Sequence, residues 1–185
     1  MDIPRDPVTM TLEAFADTVL PGRKRGPEDP AVVGVSDTPG AVEAGALTLM
    51  YDEATGLAEG LPFLAPMLDG HAAKYAGERD IVLDGTLPAF VALAYDDRAA
   101  LLESLTRPGH PEREVWVGLF MFANMAFDSA AHLPTLQALA EGHPGLRAMG
   151  IATPDADGLW RFPAYSYRRV LADLHPDTTP SGSPA

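Results

Sequence analysis

The chain reads as an all-α protein, a single helical domain over residues 1–175 followed by a disordered tail at 176–185. Three observations predict this. Apolar residues recur at helical spacing in several segments, as at Leu12, Phe15, Ala16, Val19 and Leu20. Proline and glycine punctuate those segments where helices start and stop, as at Pro21-Gly22, Thr38-Pro39, Leu61-Pro62 and Pro111. No run alternates apolar and polar residues in the manner of a half-buried strand.

The elements follow in order. Thr9 to Leu20 makes a first helix, stopped by Pro21-Gly22. Residues 21–38 form a long loop in which Arg23-Lys24-Arg25 is read as a solvated tip offset by Glu28 and Asp29. Thr38 supplies a cap oxygen and Pro39 a first helical position, so a helix runs to about Ala54, with Ala41, Gly45 and Thr48 as a small-residue face. A third helix opens at Leu61-Pro62 and runs to about Ala76, with His71 and Tyr75 one turn apart. Pro88 to Ala94 gives a helical turn. Asp96 or Asp97 caps a helix to about Thr106, and Arg107-Pro108-Gly109-His110 breaks it. Pro111, with Glu112 and Glu114 in the first turn, opens a long helix over about 112–132, since acids there suit the helix dipole. Shorter helical pieces follow near 134–141 and after Gly145. Residues 151–170 form an irregular C-terminal strap, and the tail from Pro176 is rich in Pro, Ser and Thr.

Composition narrows the function classes. A net charge of −13 over 185 residues disfavours nucleic acid and anionic membrane surfaces, both of which are bound through clustered Lys and Arg. The chain has no cysteine, which removes disulfides, thiolate nucleophiles and Cys-ligated metals. Met1-Asp2-Ile3-Pro4-Arg5-Asp6-Pro7 carries neither a basic and apolar leader nor a twin arginine, so a cytoplasmic location is expected. The longest apolar stretch, Val115 to Phe127, is shorter than the about 20 residues a membrane span takes.

That stretch, VWVGLFMFANMAF, is apolar on every side and predicts a helix surrounded by other elements, with Gly118, Ala123, Ala126 and Ala130 allowing close approach. Asn124, Asp128 and His132 stand at i, i+4 steps along it and share a side. In one reading the row is structural, with Asn124 tying helices together and Asp128 and His132 pairing with each other or emerging at the helix end. In the other it lines a pocket and is catalytic, with Asp128 orienting His132 as a general acid or base. The pocket is then lined by Trp116, Met121, Phe122 and Met125, with His71 and Tyr75 as further substrate-binding candidates. Asp128 and His132 could together ligate an ion only if the fold brought His71 or Glu43 near as a third ligand; nothing in the spacing requires this, so no metal site is expected. No phosphate-binding or dinucleotide-binding glycine motif is present, so no bound cofactor is expected either. His110, His143 and His175 each precede proline and are read as turn residues. Trp160, Arg161, Phe162, Tyr165 and Tyr167 concentrate aromatics and arginine in the strap. They are read as a cover over the core, an interface, or a segment covering a ligand.

Three stretches resemble the gluconate 2-dehydrogenase subunit 3 family of small helical proteins: Leu12-Glu13-Ala14-Phe15-Ala16-Asp17-Thr18-Val19-Leu20-Pro21-Gly22, Gly40-Ala41-Val42-Glu43-Ala44-Gly45-Ala46, and Asp97-Arg98-Ala99-Ala100-Leu101-Leu102-Glu103-Ser104-Leu105. Residues 107–176 resemble actinobacterial proteins of unknown function that share Asn-Met-Ala-Phe-Asp and Asp-Gly-Leu-Trp-Arg-Phe. The first resemblance implies a non-catalytic accessory subunit of a large flavin-dependent oxidoreductase. The chain departs from that family in lacking its twin-arginine signal, so the implied partner is a cytoplasmic one. The alternative is a small cofactor-independent enzyme, a cyclase, isomerase or lyase, acting on an apolar metabolite through the Asp128 and His132 pair.

Overall fold

Helix α1, Pro7–Val19, is the element around which the others are assembled. A computed structural model describes residues 6–154, and the chain divides after Ile151 into two units, of which the first is described here. Asp6 starts α1 by accepting from the Thr9 amide at 3.0 Å, with Pro7 at the first helical position. Every residue from Thr11 to Thr18 is buried, and α1 packs against α2 (Ala46–Met50), α3 (Leu61–Gly77), α4 (Ala89–Ala92), α5 (Tyr95–Thr106) and α6 (Arg113–Asp128). Two short helices, α7 (Thr135–Ala140) and α8 (Pro144–Ala148), and a 3-10 turn at Glu53–Thr55 complete the set. The described residues contain no strand, in keeping with the all-α expectation. None of their helices is long and apolar enough to cross a membrane.

An enclosed α1 is a correction, because the sequence points to the helix beginning near residue 112 as the surrounded one. The reason lies in how α1's polar groups are satisfied. Glu13 accepts from both terminal guanidinium nitrogens of Arg25 at 2.7 and 2.6 Å. Asp17 accepts the amides of Gly22 and Val33 at 3.1 and 2.9 Å. Thr11 donates to Asp69, which also accepts the Phe90 amide. Buried polar groups that are paired in this way avoid a penalty of about 1–3 kcal/mol each. The polar side of α1 therefore recruits the loop 21–33 and Asp69 of α3, which also holds the start of α4.

The basic triplet is part of the same fastening and is not a solvated tip. Arg23 makes a two-pronged pair with Glu43, Lys24 donates to the Asp29 carbonyl, and Arg25 bridges Glu13 and Asp29. On the far side of the loop the buried Arg98 donates to the carbonyls of Pro30, Ala31, Val91 and Leu93. Burial holds its pKa down to about 10, against the opposing pull of Asp17 and Asp29.

Two predicted helices are shorter than expected. The one expected from Pro39 to Ala54 is broken at Gly45, whose φ of +86° favours glycine, and only Ala46–Met50 is α-helical. A Cβ on Gly45 would stand 2.6 Å from His132 Nε2, so the glycine is where that ring rests. The helix expected over 112–132 ends at Asp128, because Ala130 turns left-handed at φ 49°. The Ala130 methyl is fully buried with Ala138 and Leu146 in a small second core under α7 and α8, which holds a conformation a non-glycine residue rarely adopts.

Helix α6 is buried on one side only. Trp116, Leu119, Ala123 and Ala126 face the core at helical spacing. The opposite side leaves Phe120, Met121 and Met125 at 37%, 56% and 36% exposure. Ala123 and Ala126 do sit at close contacts, but a Cβ on Gly118 would meet nothing within 4 Å.

Candidate functional site

A cleft of about 390 Å³ opens between α3, α5 and the turn that follows α5. That volume is within the range of small-molecule sites. Its wall on α3 carries His71, Lys74, Tyr75 and Glu78, one helical turn apart on the side flanking the buried residues Leu68, Ala72 and Ala76. The α5 wall supplies Leu101, Ser104 and Leu105, with Arg107 and His110 from the turn that follows.

The turn is rigidly built. Gly109 takes a φ of +90°, which reverses the chain without steric cost. The His110 amide donates to the Arg107 carbonyl, the Arg113 amide donates to the His110 carbonyl, and Arg113 Nε donates to the Thr106 carbonyl. These bonds seat Glu112 as the cap residue of α6 and bring it opposite His71, 41 residues away in sequence.

Glu112 is the hub of the site. Its Oε2 is 2.7 Å from His71 Nε2 and accepts the indole N–H of the fully buried Trp116 at 3.0 Å. The His71 hydrogen bond, helped by that of Trp116, holds the Glu112 carboxyl below its usual range against desolvation. An ionised carboxylate only accepts, so the neutral His71 ring carries its proton on Nε2 and its lone pair on Nδ1. The same residue uses its backbone on the second histidine: the Glu112 amide donates to His110 Nδ1 at 3.2 Å. His110 therefore carries its proton on Nε2. The two imidazoles stand edge to face with centroids 6.1 Å apart, and Trp116 lies edge-on to His71 at 5.9 Å.

The rest of the wall is fixed by polar contacts. The Tyr75 hydroxyl donates to Asp97 at 3.2 Å, and Arg79 lies over its ring at 3.8 Å. Burial, then the bond to Asp97, raises the Tyr75 pKa. The rim is of mixed sign, with Lys74, Arg79 and Arg107 beside Glu78 and Glu103. Two other depressions, of about 740 and 520 Å³, lack comparable chemistry. In the first Arg23 is engaged by Glu43, and the second is lined by Glu53, Gly56, Ala58 and Glu59. No group of three or more His, Asp or Glu suited to a metal ion occurs among the described residues.

Asn124, Asp128 and His132 are not brought together. Asn124 donates to the carbonyl of Phe120 in its own helix, and Asp128 is exposed at the end of α6. Beyond the left-handed Ala130, His132 turns onto Gly45, where its ring is 5.6 Å from His143. Its Nδ1 is buried without a hydrogen-bond partner among the described residues. Burial, then His143, lowers its pKa, while Asp52 opposes the shift. The shared side expected from i, i+4 spacing fails because the helix ends between Asp128 and His132.

The expected lining set is also divided. His71 and Tyr75 share the cleft, and Trp116 backs it through Glu112. Met121 and Met125 point outward, and Phe122 packs at the edge of the core. His143 is no simple turn residue, since its buried ring caps α8 through Nδ1 and donates from Nε2 to the Ala44 carbonyl. Trp160, Arg161, Phe162, Tyr165, Tyr167 and His175 lie outside the described residues. Glu112 and His110 were missed as site residues, because a first-turn acid and a histidine before proline each have an ordinary local explanation.

A model of the Family of unknown function (DUF5987) matches residues 6–185. No curated protein matches the chain, and no solved structure does.

Proposed function

The chain belongs to this family of unknown function, which brings no activity with it, and we propose from its own geometry that it is a small cytoplasmic acid–base enzyme whose base is His71. One observation carries the reading. Glu112 and the donor-only indole of Trp116 fix the tautomer of His71, so that Nδ1 remains as a proton acceptor on a residue that lines a cleft of ligand size. A carboxylate behind an imidazole holds its orientation and stabilises the imidazolium that forms when a proton is taken. The substrate is a small polar metabolite, since the wall is formed by Lys74, Tyr75, Ser104, Arg107 and His110. The chemistry suits an isomerase or lyase that needs no bound cofactor.

The test is turnover of a panel of small carboxylic acids, keto acids and sugar phosphates, followed by proton NMR with wild type and His71→Asn. Turnover that disappears in the variant at unchanged melting temperature supports the reading. Equal turnover by both proteins sinks it.

A second reading is an accessory subunit of a flavin-dependent oxidoreductase, as the likeness to the gluconate 2-dehydrogenase subunit 3 family implies. The exposed Phe120, Met121 and Met125 on α6 favour it, because exposed apolar patches mark contact surfaces. Co-purification with a flavoprotein encoded beside it, lost on Met121→Asp, is the outcome this reading requires.

A further inference from the structure

We infer that His110 is the oxyanion-side donor of the same site, and that the substrate class is a carbonyl compound with a removable C–H next to the carbonyl. The inference rests on His71 being the base. Glu112 commits opposite nitrogens of the two rings: its carboxylate takes Nε2–H of His71, and its amide takes Nδ1 of His110. What remains is a lone pair on His71 and an N–H on His110, and among the described residues neither has a hydrogen-bond partner. Two neutral imidazoles in one cleft, 6.1 Å between centroids, therefore present one acceptor and one donor without any change of charge. That pairing matches a proton leaving carbon while negative charge develops on a neighbouring oxygen.

The step balances without a further reagent. Nδ1 of His71 takes the proton, and the C–H electron pair becomes the new C=C bond. The carbonyl π pair moves to oxygen, where the N–H of His110 hydrogen-bonds it. His71 is then an imidazolium against the Glu112 carboxylate. It returns the proton to the same carbon or to a conjugated one, and the carbonyl reforms. His110 polarises and does not give up its proton, since a neutral imidazole is a very weak acid. Glu112 and Trp116 are positioning residues in this scheme.

The experiment has two arms. Two-dimensional 15N–1H NMR of the imidazoles in the wild type, at a pH where both rings are neutral, reads the tautomers. Protonated Nε2 and bare Nδ1 on both His71 and His110 are expected, and a proton on His110 Nδ1 overturns the inference. The second arm follows loss of the α-proton signal of pyruvate, acetoacetate and dihydroxyacetone phosphate in D2O. The wild type is expected to accelerate exchange of at least one probe. His71→Asn abolishes that acceleration, His110→Ala reduces it by about 10²-fold, and His110→Gln, which restores an N–H, recovers part of it. Full-rate exchange by His110→Ala beside a dead His71→Asn removes His110 and leaves the base reading intact. Full-rate exchange by His71→Asn removes the base reading itself. No acceleration of any probe by the wild type overturns the carbonyl class.

Discussion

Replacing Glu112 separates its structural role from its chemical one. In Glu112→Ala the buried indole N–H of Trp116 and the Nε2 of His71 both lose their acceptor. Trp116 is the more costly loss, because it is fully buried and an unsatisfied donor there costs about 1–3 kcal/mol. The His71 contact adds less, since the His71 and Glu112 side chains are 25% and 33% exposed and solvent screens their attraction. A total of about 2 kcal/mol corresponds to a fall in melting temperature of about 4–8 °C for a domain of this size. Glu112→Gln keeps an acceptor oxygen for Trp116 and removes the charge, so its melting temperature should stay within about 2 °C of the wild type. Turnover, by contrast, should fall in both variants, because neither stabilises an imidazolium at His71. Differential scanning calorimetry beside the exchange assay checks both halves. A Glu112→Ala protein that melts with the wild type would refute the claim that Glu112 holds Trp116, and with it the tautomer assignment of His71.

Arg98→Ala should cost at least about 3 kcal/mol in urea unfolding, because four backbone carbonyls lose their donor at once, and Arg98→Lys should recover little of it without the planar fork. Gly45→Ala should destabilise by about 1–3 kcal/mol, from a left-handed φ and a Cβ driven into the His132 ring. Combining it with His132→Ala should return the steric part, so a double-mutant cycle that is strictly additive contradicts the contact. His132 also links stability to pH. Burial holds its folded pKa below the ordinary 6.5 of a histidine, so the unfolded chain binds the proton more readily. The stabilisation is complete above about pH 6.5 and is lost as pH falls toward the folded value. Thermal melts of His132→Phe, which keeps a flat ring against Gly45, should show a shallower loss on the acid side than the wild type.

Local physics made much of this protein legible from its sequence. Periodic apolar residues with proline and glycine at the ends identify α1, α3, α5 and most of α6, because helix formation depends on neighbours three and four residues away. The same spacing places His71 and Tyr75 on one side of α3, where both line the cleft. Long-range choices were hidden. A stretch apolar on all sides suggested that α6 is enclosed, whereas α1 holds that position through ion pairs and hydrogen bonds supplied by residues up to 58 positions further along, as with Val33 to Asp17 and Thr11 to Asp69. The row Asn124, Asp128 and His132 dissolved because burial of one methyl, that of Ala130, ended the helix between its members. Glu112, His71, His110 and Trp116 meet only because the turn at Gly109 brings the start of α6 beside His71 of α3. Periodicity determines which side chains share a face of a helix. Which face meets which is decided when buried donors and acceptors find partners in three dimensions, and the candidate site is a product of that second decision.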